Sequence, residues 1–367
     1  MTLKPSFDAQ DQRFERGFAL LREAIAAGAF PGCSLAVMHR GEPVASTGLG
    51  RFTYEPQSPE VAADTIFDVA SLTKIVATTA MAMILYERGV LDLDLPVESV
   101  VREFFAADPR RQDVTLRALL AHTSGLPGYV CLFEQARTRD ELVLAACRTP
   151  LEAAPGERTE YSDIGFIILG EALARLADEP LDGFCRREIF GPLAMTSTGF
   201  NPPPALRPLI PPTEDDRAFR HRVIQGEVHD ENAGVMGGVA GHAGLFASAP
   251  DLARFAHAIL GCLSRPGAKT IFLPETLRTF ARPQAAKSGS PRALGFDLPS
   301  APSQSGRHFS PGSLGHLGFT GTSLWLDPER DLAIVLLTNR TWPDRSSQEI
   351  KRVRPRVHDA VVEALSW

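Results

Sequence analysis

Ser71-Leu72-Thr73-Lys74 sets a hydroxyl and an amine three residues apart, where the mostly apolar segment 65–70 meets an apolar run reaching about Tyr86. If that run is a helix, the serine stands in its first turn near unpaired backbone N–H groups, and the lysine shares its face. Serine is a poor nucleophile at neutral pH until a neighbouring base takes its proton, and a desolvated lysine can be that base. The pair is a recipe for acyl transfer: Ser71 attacks, Lys74 accepts the proton, and the Ser71 backbone N–H forms one arm of an oxyanion hole. The rival reading is a plain helix-capping serine followed by a surface lysine. A lysine among Ile75, Val76, Ala80 and Met81 is badly placed for the surface. A Ser-x-x-Lys pattern arises by chance roughly once in a chain of this length, so its company decides.

Two further segments supply that company. Tyr161-Ser162-Asp163 follows the turn signal Pro155-Gly156-Glu157-Arg158 and opens an apolar helix through Ile164, Phe166, Ile167, Ile168 and Leu169. Far downstream, Gly315-His316-Leu317-Gly318-Phe319-Thr320-Gly321 leads into an apolar strand at Leu324 to Leu326. The three lie in the order and rough spacing of the beta-lactamase and penicillin-binding serine hydrolases, whose elements are Ser-x-x-Lys, Tyr-x-Asn and Lys-Thr-Gly. The chain resembles the class C beta-lactamase-like branch, which also contains esterases and D-amino-acid peptidases. The resemblance runs along nearly the whole chain, through Phe67-Asp68-Val69-Ala70, Leu119 to Leu126, Pro155-Gly156, Pro192 to Met195, Thr198 to Phe200, and Ala243 to Ser248 with Asp251 to Phe255.

That resemblance implies further roles. Tyr161 becomes a phenol that shuttles protons between the nucleophile and the leaving group or water. Its ordinary pKa of about 10 is then expected to be lowered by nearby cations, with Lys74 supplying the field. Asp163 stands where the family has asparagine; it keeps an acceptor, loses the amide donor and gains a charge suited to anchoring Lys74. His316 stands where the family has lysine, Leu317 replaces threonine and Gly318 matches glycine. A register starting at Phe319, with Gly321 as the glycine, is the alternative. The family's lysine engages a substrate carboxylate, which neutral histidine does less well, so ester hydrolysis ranks above beta-lactam hydrolysis. The Phe319 N–H is the expected second oxyanion donor.

Elements that position these residues can be read from periodicity. Phe14, Phe18, Leu21 and Ile25 mark an amphipathic helix ending near Gly28, and Cys33 to Met38 with Pro43 to Thr47 form a hairpin. Val114 to Leu120, Arg139 to Cys147, Ser162 to Ala177 and Leu252 to Leu260 read as helices. Leu332 to Leu337 is a strand and Val357 to Leu365 a closing helix. The order fits an α/β (α+β) fold: an antiparallel sheet flanked by N- and C-terminal helices with an all-helical insertion, the architecture the resemblance also implies. A discontinuous α/β domain of residues 1–90 and 266–367 would enclose a mainly helical domain of 91–265. The five glycines between Gly234 and Gly244 suggest a close-packed turn, since no Gly-Lys-Ser/Thr follows to make a phosphate cradle.

Composition excludes much else. The 367-residue chain is 44% hydrophobic and 22% charged, ordinary for a globular protein, and its net charge of −6 lacks the basic footprint of a nucleic-acid binder. The basic run at Lys351, Arg352, Arg354 and Arg356 is expected on the solvated side of the last helix. Five scattered cysteines without a CxxC pair argue for reduced thiols rather than a zinc framework or a disulfide set. His229-Asp230-Glu231-Asn232 lacks the spaced partners of a metal site and is expected to border the cleft. His122 is read as structural. No secretory h-region or eighteen-residue apolar run occurs, so the chain as written reads as cytoplasmic, although an exported protein with its leader trimmed would read the same way. The expectation is a metal-free, cofactor-free serine hydrolase acting on a small ester, amide or peptide-like substrate. A D-alanyl-type peptidase, a weak beta-lactamase or a penicillin-binding sensor that acylates without turnover are the alternatives.

Overall fold

The computed structural model describes residues 9–105, 108–265, 267 and 270–365. Its centre is a five-stranded antiparallel sheet in the order Glu42–Gly50, Gly32–His39, Leu332–Thr338, Ser323–Asp327, Leu314–Leu317. Cys33 pairs with Thr338 and His39 with Leu332, so the first hairpin joins the last three strands. Strand side chains alternate between faces, and here both faces are covered. Leu35, Val37, Ile334 and Leu336 pack toward Phe18, Val357 and Val361 of the two terminal helices, Glu15–Ala26 and Ile350–Ala364, and toward Phe14, which precedes the first of them. Ala36, Met38, Ala333, Val335 and Leu337 face the other way, into the main core. Helix Ala249–Ser264 packs on that face, although it lies within the stretch read as the helical insertion.

The remaining helices include Leu116–Leu120, Arg139–Arg148 and Asp163–Ala177. The last is buried almost all round, which only an interior helix can sustain. Ser162 caps it by accepting the Gly165 N–H at 3.0 Å. A small sheet, Ile66–Asp68, Leu245–Ser248 and Gly199–Phe200, carries the chain up to the serine.

Two elements depart from the sequence reading. The segment after Asp68 is not one α-helix: it runs as a 3₁₀ turn at Ala70–Leu72, a π-helical stretch at Lys74–Thr79 and α-helix at Ala80–Glu87. The start is shaped by local acceptors, Asp68 Oδ1 taking the Ala70 N–H at 2.8 Å and Ala70 O the Thr73 hydroxyl at 2.6 Å. The closing helix begins at Ile350, seven residues before Val357, and runs through Pro355. Proline leaves the Lys351 carbonyl without its helical donor; Gln304 Nε2 fills the place at 3.2 Å. Lys351, Arg352 and Arg356 face solvent, but Arg354 is buried, contrary to the expectation of a wholly solvated run. All five cysteines are free thiols. Among the described residues no helix is long and apolar enough to cross a membrane.

Candidate active site

The three distant segments meet at one cleft of about 690 Å³. Tyr161 OH donates to Ser71 Oγ at 2.8 Å, and Lys74 Nζ lies 3.0 Å from the same oxygen. Lys74 is fully buried and has two more partners, Asp163 Oδ1 at 2.6 Å and the His242 carbonyl at 3.0 Å. Three partners suit both protonation states. An ammonium donates to all three; a neutral amine donates to Asp163 and His242 and accepts the serine proton. Burial lowers the Lys74 pKa from its ordinary value, while Asp163 and Asp230 pull it back up and Arg292 adds to the lowering.

Tyr161 overturns an expectation. Burial, reinforced by Asp163, raises its pKa well above 10, and only the Ser71 hydrogen bond and Arg292 act downward. The resting phenol keeps its proton and directs it at Ser71 Oγ. The serine's own hydrogen is thereby free to point at Lys74.

Gly318 shows why the third segment needs a glycine. A Cβ there would lie 1.9 Å from Thr322 Oγ1 and 2.6 Å from the Val69 carbonyl, just before the serine turn. Thr320 and Thr322 hydroxyls clip the same turn, donating to Asp68 O at 2.9 Å and Val69 O at 3.0 Å. The Gly318 N–H is tied to Thr322 O at 2.8 Å, whereas the Phe319 N–H has no partner among the described residues. His316, on the neighbouring strand, is buried and its pKa falls well below 6.5 by desolvation, with Arg292 and Lys74 adding to the effect. It is neutral at pH 7, with Nδ1 2.8 Å from the Leu317 carbonyl and its ring 5.8 Å from that of Tyr161.

His122 stacks 4.8 Å from Tyr161 and 4.9 Å from Phe166, and its Nδ1 accepts the Ser162 N–H at 2.9 Å. It braces the tyrosine segment and reaches neither Ser71 nor Lys74 by a hydrogen bond. The segment His229 to Asn232 borders the cleft and ties loops together. His229 pairs with Glu214 at 2.8 Å, Asp230 with His242 at 2.8 Å, and Glu231 with Arg345 at 2.8 Å. Among the described residues no group of three or more His, Cys, Asp or Glu converges as a metal site would.

Several cleft residues left no trace in the sequence reading. Arg292, Asp297, Arg340 and Arg345 reach the cleft from loops that carry no motif. His242 contributes its backbone carbonyl, which holds Lys74 and which no side-chain motif could reveal.

Residues 18–357 match the family described as Beta-lactamase. The chain belongs to the beta-lactamase family. It is 31% identical to the N-acetylmuramyl-L-alanine amidase of Bacillus subtilis (strain 168), covering 88% of this chain and 79% of that one. It is 32% identical to a protein of Escherichia coli O157:H7 provisionally named D-alanyl-D-alanine carboxypeptidase, over 75% of this chain and 69% of the other. In fold it resembles EstCE1, a hydrolase with promiscuous acyltransferase activity, at a TM-score of 0.77 and 21% identity over 96% and 99% of the two chains. The protein is a serine hydrolase of the beta-lactamase family.

Proposed function

We propose that the protein cleaves small carboxylic esters through an acyl-enzyme on Ser71. The observation that carries this reading is the convergence of the Lys74 amine and the Tyr161 phenol on one serine oxygen. Lys74 takes the Ser71 proton as Oγ attacks the carbonyl carbon, and the N–H groups of Ser71 and Phe319 hold the oxyanion. Tyr161 gives its proton to the departing alkoxide and is reprotonated from Lys74. Water then attacks the acyl-enzyme by the reverse route, which restores Ser71 and releases the acid. The cleft lies in this reading where the discontinuous α/β domain (1–90, 266–367) meets the helical domain (91–265). Neutral His316 favours esters over substrates that need a cation at that position.

A D-amino-acid peptidase or amidase is the second reading. The names of the two relatives favour it, as does Arg354, buried beside the cleft with only the Gln304 amide oxygen and the Thr322 carbonyl as its hydrogen-bond acceptors among the described residues.

The test is turnover of p-nitrophenyl butyrate, nitrocefin and D-alanyl-D-alanine by the wild type and Ser71→Ala. Ester hydrolysis should exceed the others and vanish in the variant. Ester inertness with fast nitrocefin cleavage overturns the ranking; a lasting beta-lactam adduct in intact-mass spectra, with no turnover of any substrate, identifies a sensor.

A further inference from the structure

Burial drives the proton off Lys74 and holds it on Tyr161, and the carboxylates beside the pair favour the protonated form of both. Asp163 stands 2.6 Å from Lys74 Nζ, Asp230 adds a second negative influence, and Asp163 also opposes ionisation of Tyr161. The two histidines whose rings lie beside Tyr161 supply no counterweight, because His122 and His316 are buried and desolvation keeps both neutral at pH 7. The cation that acts on both members of the pair from outside is Arg292.

Arg292 arrives from a loop remote in sequence from all three motif segments, and it lines the same cleft. Its Cζ lies 5.3 Å from the Tyr161 ring centroid, its Nη2 is ion-paired with Asp297, and its buried Nε has no partner among the described residues. Asp297 is itself fixed by two backbone hydrogen bonds to Gly315, at 2.7 and 3.0 Å, next door to His316. The guanidinium is thus clamped between the strand bearing His316 and the ring of Tyr161.

We propose that Arg292 is a positioning residue that sets the charge of the reaction centre: held by Asp297 against the Tyr161 ring, its guanidinium favours the proton-free forms of Lys74 and Tyr161. This rests on the reading that Ser71, Lys74 and Tyr161 do the chemistry. The physics has one sign for both partners, since a fixed positive charge disfavours an ammonium and favours a phenolate. The directions agree, with Arg292 lowering the pKa of Lys74, Tyr161, His122 and His316 alike. Asp297 then acts as the counterweight that decides how much of that charge the centre feels.

The experiment is the pH profile of kcat/KM for p-nitrophenyl butyrate with the wild type, Arg292→Gln, Arg292→Lys and Asp297→Asn, alongside fluorophosphonate labelling of Ser71. Arg292→Gln should move the acid limb to higher pH by about one unit, and Arg292→Lys should restore most of the wild-type position. Asp297→Asn, which exposes more of the cation's charge, should move the limb the opposite way. Limbs that coincide in the Gln and Asn variants, whatever happens to the overall rate, assign Arg292 a merely structural part and overturn the proposal. If Arg292→Gln does not fold, an unmoved limb in Asp297→Asn overturns it alone. A wild type that leaves Ser71 unlabelled defeats the underlying reading, a failure distinct from unmoved limbs on a labelled enzyme.

Discussion

The floor of the cleft and its rim use the same kinds of side chain, with their cations under opposite conditions of solvation. On the floor, Lys74 and Asp163 form an ion pair whose lysine is wholly buried. At the rim, Arg345 joins Glu214 and Glu231 while remaining 39% exposed, and the aromatic side chains of Tyr129 and Phe319 are 43% and 49% exposed. Phe319 sits over Arg340, whose Cζ lies 4.5 Å from the ring centroid. The contrast lies in the cation: the place of a wholly buried Lys74 is closed to water, whereas the place vacated by half-exposed Arg345 is open to it and Glu214 keeps His229 as a partner. The lesson is a division of labour: the floor is fixed because its cation has nowhere else to go, and the rim is free to vary with the substrate.

Lys74→Ala is the harshest way to break this contrast. It should lower kcat/KM by about a thousandfold or more, and it should cost on the order of 3 kcal/mol in a urea melt because a wholly buried side chain is deleted and Asp163 loses its partner. A mild effect on both would show the floor to be as forgiving as the rim.

Asp163→Asn sharpens the contrast from the other side. Asp163 raises the Lys74 pKa, so the neutral amide should move the acid limb of kcat/KM to lower pH, with an activity change of about tenfold. An acid limb displaced upward would contradict the assignment of that limb to Lys74.

Arg345→Gln tests the rim. Burial pushes the Glu214 carboxyl up, but His229 and Arg345 outweigh it and hold the pKa at about 2. Arg345 is half-exposed but Glu214 and Glu231 are buried, so its loss should cost about 1–2 kcal/mol, less than the loss of Lys74. KM should change a few-fold while the acid limb stays put; a displaced limb would mean that rim charge reaches the floor.

The smallest effect concerns acid stability. His122, His316 and His358 are buried, and desolvation lowers all three, His358 to about 3. An unfolded chain binds protons at these positions below about pH 6.5 and the folded chain does not, so stability is lost as pH falls through that value. Melting temperatures recorded from pH 7 to 5 should decline, and the His358→Gln variant should decline less steeply. A flat profile would refute the burial of these rings in neutral form.

Local patterns were legible in the sequence, and contacts between remote loops were not. The hairpin, the terminal helices and the antiparallel α/β class follow from periodicity, because one hydrophobic face must meet another. Ser71, Lys74 and Tyr161 could be named because each lies in a segment whose resemblance is local. Arg292 and Asp297 could not, since nothing in the polar stretch around Ser290 and Pro291 reveals which side chain will be folded under Tyr161. The burial of Arg354 was missed for a similar reason. A basic run looks like a solvated face until the loop bearing Gln304 comes down on one of its members. The ionisation of Tyr161 was misjudged because sequence names the cations nearby but not the depth of the pocket, and depth dominates.

The glycine-rich stretch read as a close-packed turn has a sharper meaning in three dimensions. At Gly241 a single added carbon would sit 2.1 Å from the Phe166 carbonyl and 2.9 Å from the Gly170 Cα. The same stretch accepts the Thr78 hydroxyl at Gly241 O, 2.6 Å away, and offers the next carbonyl to Lys74. Bare backbone therefore works as a spacer of fixed thickness between two helices. Thickening it by one methyl group would disarm the enzyme while leaving every reactive group in the sequence untouched, so inactivating changes should turn up at a position that performs no chemistry at all.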